Sequence, residues 1–218
     1  MNLLMENDMK ERIAKDLLSI GAVFLRPNEP FTWASGIKSP IYCDNRMTLS
    51  YPEVRNDIEE SLVDLIKKQY PETEILVGTA TAGIAHAAII SHLMKLPMAY
   101  CRSYPKDHGR ENLIEGKISK GMKAVVVEDL ISTGGSVVEV VNTLRDYGAE
   151  VLGIASIFTY NMEKSYTRLK DAGIVNYSLT DFDTIIEVGI KQQYINEKDR
   201  NKLLAFRSNP SDDSWGKL

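Results

Sequence analysis

From residue 75 onward, short apolar runs alternate with segments of helical periodicity, and this constrains the fold more than any other feature of the chain. The runs fall at 75–78, 98–101, 124–127, 151–158 and 174–178, and helical patterns fall at 82–94, 136–147 and 162–172. A strand without polar alternation must be covered on both faces, and strands separated by helices pair in parallel. The pattern therefore predicts an α/β core with a doubly wound parallel sheet. A final helix is predicted over about 196–207, followed by a polar tail expected to fray.

The first fifty residues read differently. Ile13, Leu17 and Leu18 give one amphipathic helix that stops at Gly21. Short strand-like pieces follow at 22–25, 31–33 and 41–43, broken by Pro27, Pro30, Gly36 and Pro40. Pro52 opens a second helix to about residue 68, with Val54, Ile58, Leu62, Leu65 and Ile66 on one face. The expected organisation is one domain over 1–218: a small N-terminal hood at roughly 1–50, a core at roughly 51–207 and the tail at 208–218.

Composition narrows the partners. With 44% hydrophobic and 26% charged residues the chain is ordinary globular material, and its net charge of −4 argues against nucleic acid and against an anionic membrane surface. The two cysteines, Cys43 and Cys101, fit no disulfide framework or metal-ligand spacing, which points to a reducing, cytoplasmic compartment. Glu6 and Asp8 make the N-terminus unlike a secretory signal, and the apolar stretch at 84–94 is too short to cross a bilayer. An anionic ligand must therefore meet a local patch. One such patch runs from Arg102 to Lys123, with Lys106, Arg110, Lys117 and Lys120 between them.

In open parallel sheets ligands bind beyond the carboxyl ends of the strands, so the turns after Val77, Tyr100 and Val127 matter most. The third is the most informative. Val125-Val126-Val127 runs into Glu128-Asp129, and two adjacent carboxylates at the end of an apolar strand are costly unless something uses them. Ser132-Thr133-Gly134-Gly135-Ser136 then opens a helix. Small residues there let an anion approach the backbone, where free N–H groups and the helix dipole hold phosphate. Carboxylates for ribose hydroxyls beside a phosphate cradle suit a sugar phosphate. There is no lysine after Gly135 and no GxGxxG run, so neither a P-loop nor a dinucleotide fingerprint is present.

The run VVVEDLISTGGS resembles the phosphoribosyl pyrophosphate signature of type I phosphoribosyltransferases. The segment Phe31-Thr32-Trp33-Ala34-Ser35-Gly36-Ile37-Lys38-Ser39-Pro40-Ile41-Tyr42 is similar to the hood of orotate phosphoribosyltransferases. The resemblance covers nearly the whole chain. It implies donor binding by Glu128, Asp129, Leu130, Ile131, Ser132, Thr133, Gly134, Gly135 and Ser136, with Thr79, Ala80 and Thr81 receiving the pyrophosphate. It also implies that Arg102, Lys106 and His108 belong to a catalytic loop acting on the neighbouring subunit of a homodimer. Asp129 would stabilise the ribosyl cation, Ser132 and the stretch from Lys38 to Tyr42 would meet orotate, and Mg2+ would be held mainly by substrate. His86 and His92 are read as structural.

Four positions depart from the family pattern. Ala34, Ala82, Ser103 and Tyr160 stand where many relatives carry basic residues, so the partner of the orotate carboxylate stays open. The implied reaction moves phosphoribosyl from 5-phosphoribosyl 1-diphosphate to orotate. The alternatives are transfer to another nucleobase, or a non-catalytic regulator that binds the same donor.

Overall fold

The computed structural model describes residues 3–32, 36–102 and 113–218. The chain begins with helix α1 (Leu3–Ser19), followed by four short strands: β1 (Val23–Leu25), β2 (Phe31–Thr32), β3 (Lys38–Ser39) and β4 (Ile41–Cys43). These pair antiparallel as β1 with β4 and β2 with β3, forming two separate ribbons. A 3-10 turn over Asn45–Ser50 leads into α2 (Pro52–Gln69), which has its proline at the first turn, where no N–H is missed.

The core follows as β5 (Ile75–Thr79), α3 (Ala82–Met94), β6 (Met98–Cys101), β7 (Ile114–Glu115) and β8 (Lys123–Ile131). Then come α4 (Gly135–Asp146), β9 (Glu150–Thr159), α5 (Glu163–Asp171), β10 (Asn176–Asp181), α6 (Phe182–Lys191) and α7 (Arg200–Ser208). The sheet order is β10-β9-β8-β5-β6-β7, and every pair is parallel except β6 with β7. The doubly wound sheet is as expected, with one antiparallel edge strand added.

Both faces are covered. Val125 and Val127 of β8 point into a cluster with Ile58, Leu62, Ile66 and Ile90 of α2 and α3, while Ala124 and Val126 point into a second with Val137, Val141 and Leu144 of α4. This period of two explains why β8 shows no polar alternation where it crosses the core. His86 of α3 is buried with Nδ1 2.6 Å from Glu59 Oε1 of α2, a structural position as read.

Three expectations need correction. The strand predicted to end at Val127 continues to Ile131, so Glu128 and Asp129 lie inside β8. The last strand runs to Asp181 and is followed by α6, which the sequence reading lacked; Asp181 caps that helix, accepting from the Thr184 N–H and hydroxyl. The tail expected to fray is tied down: Trp215, 3% exposed, packs edge-on against Phe206 within a 3-10 turn over Asp213–Lys217.

Candidate active site

The chain leaves β5 for β6 through α3 and leaves β8 for β9 through α4, on opposite faces of the sheet. The neighbouring strands β5 and β8 therefore form the switch point, and a crevice opens beyond their carboxyl ends. A cleft of about 480 Å³ occupies it, walled by Thr79–Ala82, Glu128, Asp129 and Ser136, with Cys43, Asp44 and Arg46 from the hood side. A larger hollow of about 710 Å³ lies between α1, α2 and β10, lined by Met5, Met9, Leu65 and Tyr177 among others. It lies away from the switch point and the phosphate-loop sequence, so the smaller cleft is the site.

Two strands are stitched together there. Thr79 Oγ1 donates to Glu128 Oε1 at 2.7 Å, and the Asp129 N–H donates to the same oxygen at 3.0 Å. Glu128 is 7% exposed; burial, followed by the adjacent Asp129, pushes its carboxyl up to about 8. Asp129 is half-buried and faces the cleft. From the hood, buried Asn45 donates its side-chain N–H to the Asp129 carbonyl at 2.6 Å, which fixes the approach of the 3-10 turn to β8. Gly83 makes the close packing possible: a Cβ there would sit 2.4 Å from the Val127 carbonyl oxygen and 2.6 Å from Thr79 Oγ1.

The loop that enters α4 is built on one glycine. Gly134 has φ +76, a left-handed conformation that side chains resist, and it caps the twelve-residue helix α4. The first-turn N–H groups of that helix have no intrahelical partner and face outward with its positive end. Arg168 of α5 braces the loop, donating from Nη1 to the Thr133 carbonyl at 3.1 Å and to its hydroxyl at 3.0 Å.

The structure brings together Thr79, Ala80, Thr81, Glu128, Asp129, Leu130 and Ser136 in one lining. Ile131, Ser132, Thr133, Gly134 and Gly135 continue from β8 into α4 beside it. Arg102 lies next to the cleft residue Cys101, with its N–H donating to the Leu113 carbonyl and its side chain 3.4 Å from Glu115. Lys106 and His108 lie outside the described residues, as do Ala34 and Ser103. Lys38 donates to Thr32 Oγ1 at 2.6 Å, and Tyr42 lines a separate hollow with Phe24, Arg26 and Phe31. Neither side chain is part of the cleft wall.

Sequence reasoning missed Arg46, Asn45 and Arg168. Asn45 and Arg46 follow the hood motif in an unremarkable D-N-R run, and Arg168 sits 32 residues beyond Ser136 on a separate helix. No local pattern announces any of the three.

Residues 49–193 match the phosphoribosyl transferase domain model. An orotate phosphoribosyltransferase of Bacillus cereus is 56% identical over 207 residues, which is 95% of this chain and 99% of the relative. Among solved structures, the orotate phosphoribosyltransferase of Aeropyrum pernix superposes with a TM-score of 0.74 at 27% identity, over 84% of this chain and 99% of that one. Leishmania donovani UMP synthase gives a TM-score of 0.76 at 26% identity; the match covers 91% of this chain but 42% of that longer one. With its switch-point cleft, its acidic pair and its glycine-capped loop, the chain belongs to the phosphoribosyltransferase family, within the orotate phosphoribosyltransferases.

Proposed function

We propose that this cleft transfers the phosphoribosyl group of 5-phosphoribosyl 1-diphosphate to orotate, giving orotidine 5′-monophosphate and diphosphate. One observation carries the reading: the acidic pair Glu128-Asp129 and the loop at Gly134 meet at the switch point of a chain 56% identical to a named orotate phosphoribosyltransferase. The chain is a pentosyltransferase of pyrimidine biosynthesis. The ring nitrogen of orotate forms the new bond to the anomeric carbon as the carbon–oxygen bond to diphosphate breaks, and the proton on that nitrogen is released to the departing diphosphate or to water. The nucleophile comes from the substrate, so the chain needs to position groups and stabilise charge rather than attack.

The roles divide by location. The loop at Thr133–Ser136 would hold the 5-phosphate on N–H groups and hydroxyls, with Arg168 keeping Thr133 in place. Glu128 and Asp129 would take the ribose hydroxyls, and the Asp129 carboxylate would offset the positive charge that develops on the ribose. Thr79, Ala80 and Thr81 would receive the diphosphate. Ser132 and the backbone from Lys38 to Tyr42 remain the candidates for contact with the orotate ring.

The charge of the lining bears on the metal. Among the described residues it holds four carboxyl groups, from Asp44, Glu128, Asp129 and Glu139, against one guanidinium, from Arg46. A diphosphate entering such a site needs added positive charge, which fits Mg2+ carried in on the substrate. Glu128 and Asp129 are the groups that would share the ion with substrate oxygens, and bound Mg2+ would neutralise the leaving diphosphate. No group of three metal-ligating side chains is found among the described residues. Further positive charge would come from Arg102, Lys106 and His108 of a second copy in a homodimer. Among the described residues no helix is long and apolar enough to cross a membrane.

The test is donor-dependent loss of orotate absorbance with Mg2+ present. Turnover with orotate and none with uracil or adenine is the expected result. Turnover with a purine and none with orotate would replace the acceptor.

A further inference from the structure

Arg46 is the single lysine or arginine in the cleft lining among the described residues. It stands on the 3-10 turn that follows β4, on the hood side, facing the sheet residues Glu128 and Asp129 across the cleft. Its backbone position is set by buried contacts. Asn45 donates to the Asp129 carbonyl at 2.6 Å, and Thr48 Oγ1 donates to the Asn45 carbonyl at 2.6 Å. The head group reaches into solvent, the side chain being 63% exposed. It is paired with its neighbour: Nε donates to Asp44 Oδ1 at 2.6 Å and Nη2 to Asp44 Oδ2 at 2.8 Å. That pairing uses two of the five guanidinium N–H groups.

The two substrates together have three anionic parts, and on this reading the two on the donor already have places. The 5-phosphate has the glycine-capped loop, and the diphosphate has the turn after β5 together with its metal. The carboxylate of the base has none. Lys38 is turned to Thr32, and Tyr42 lines another hollow. Tyr160 is 3% exposed, packed in the core against Phe158 and Phe182. A planar guanidinium fork is the side chain best matched to a carboxylate, and Arg46 already shows that geometry with Asp44.

We propose that Arg46 reads the carboxylate of the pyrimidine substrate, and that Asp44 occupies the guanidinium until that carboxylate displaces it. The proposal rests on orotate being the acceptor. Exchange of one carboxylate for another keeps Arg46 paired throughout. An uncharged pyrimidine has nothing to offer in exchange for Asp44, so the pair selects against uracil as well as for orotate.

The experiment compares Arg46→Gln and Asp44→Asn with the unmodified protein, measuring KM for orotate and for the donor separately, with Mg2+ saturating. Arg46→Gln is expected to raise the orotate KM about tenfold or more while the donor KM stays within about twofold, as loss of a charge-assisted pair implies. Asp44→Asn keeps an oxygen to accept the Arg46 N–H and cap the turn, but frees the guanidinium; it is expected to lower the orotate KM. A donor KM that rises as much as or more than the orotate KM in Arg46→Gln would overturn the assignment. So would an Asp44→Asn protein whose orotate KM is unchanged or raised, and this arm remains informative if Arg46→Gln does not fold. An unmodified protein that consumes no orotate would instead strike the underlying acceptor reading, before any variant is compared.

Discussion

Burial pushes the Glu128 carboxyl up to about 8, and this has a consequence for stability. Between its ordinary value near 4.5 and its raised value of about 8, the folded protein binds a proton at Glu128 that the unfolded chain has released. Stability contributed at this site must therefore fall as pH rises through that window, because the folded state binds more protons there. Glu128→Gln keeps an oxygen to accept from Thr79 but cannot ionise. The melting temperature of the unmodified protein should drop relative to that variant between about pH 5 and pH 8, measured by calorimetry. A gap that widens in favour of the unmodified protein would contradict the burial of the carboxyl. Asp129 tests the other half of the pair. Asp129→Asn should fold normally, yet lower kcat about a hundredfold or more, as lost electrostatic stabilisation of a developing charge does. Near-normal turnover would separate Asp129 from the ribose. The sequence disclosed both residues, because a charged pair after Val125-Val126-Val127 has no cheap structural explanation. Arg46 stayed hidden because an arginine near an aspartate is the commonest of surface patterns.

At the scale of elements, periodicity located the parallel strands and the helices from β5 to α5 but not the two-residue edge strand β7, because the former are decided by burial on two faces of one sheet. It failed where polar contacts decide. The strand β10 continues past Ser178 through Thr180, whose hydroxyl donates to the Lys10 carbonyl, and Asp181, which pairs with Lys10 at 2.8 Å; both partners are some 170 residues away in sequence. The tail escaped because Trp215 anchors it against Phe206, an aromatic contact that a polar run with one tryptophan does not announce. The loop into α4 was legible because its glycines are local necessities. Gly134→Val forces a β-branched residue into a left-handed conformation at φ +76, which costs about 1–3 kcal/mol. That would lower the melting temperature by several degrees and leave the protein folded. Donor binding, followed by calorimetry with Mg2+, should be lost altogether. Unchanged donor affinity would place the phosphate elsewhere.

For the whole molecule, the cleft has hood and sheet walls within one chain, but its rim carries the two ends of a segment with other business. Arg102 and Leu113 are joined by a backbone hydrogen bond at 2.8 Å, with the cleft residue Cys101 beside them, so the described residues that flank 103–112 stand at the mouth of the site. That segment includes Lys106, His108 and Arg110, the positive charge that the carboxyl-rich lining lacks. Closing such a segment over diphosphate would exclude water and neutralise the leaving group. We propose that it does so on the other subunit of a homodimer, and subunit mixing distinguishes this from closure on its own chain. Lys106→Ala and Asp129→Asn are each expected to be nearly inactive. If the segment acts across the dimer, a mixed dimer has one site with both defects and one with neither. Activity should then return on mixing, to about a quarter of the unmodified level when the two variants exchange freely in equal amounts, since half the dimers are mixed and each holds one intact site. If each chain closes over its own cleft, every site keeps one defect and mixing restores nothing. Absence of recovery, with exchange demonstrated by differently tagged subunits, would leave each site complete within a single chain.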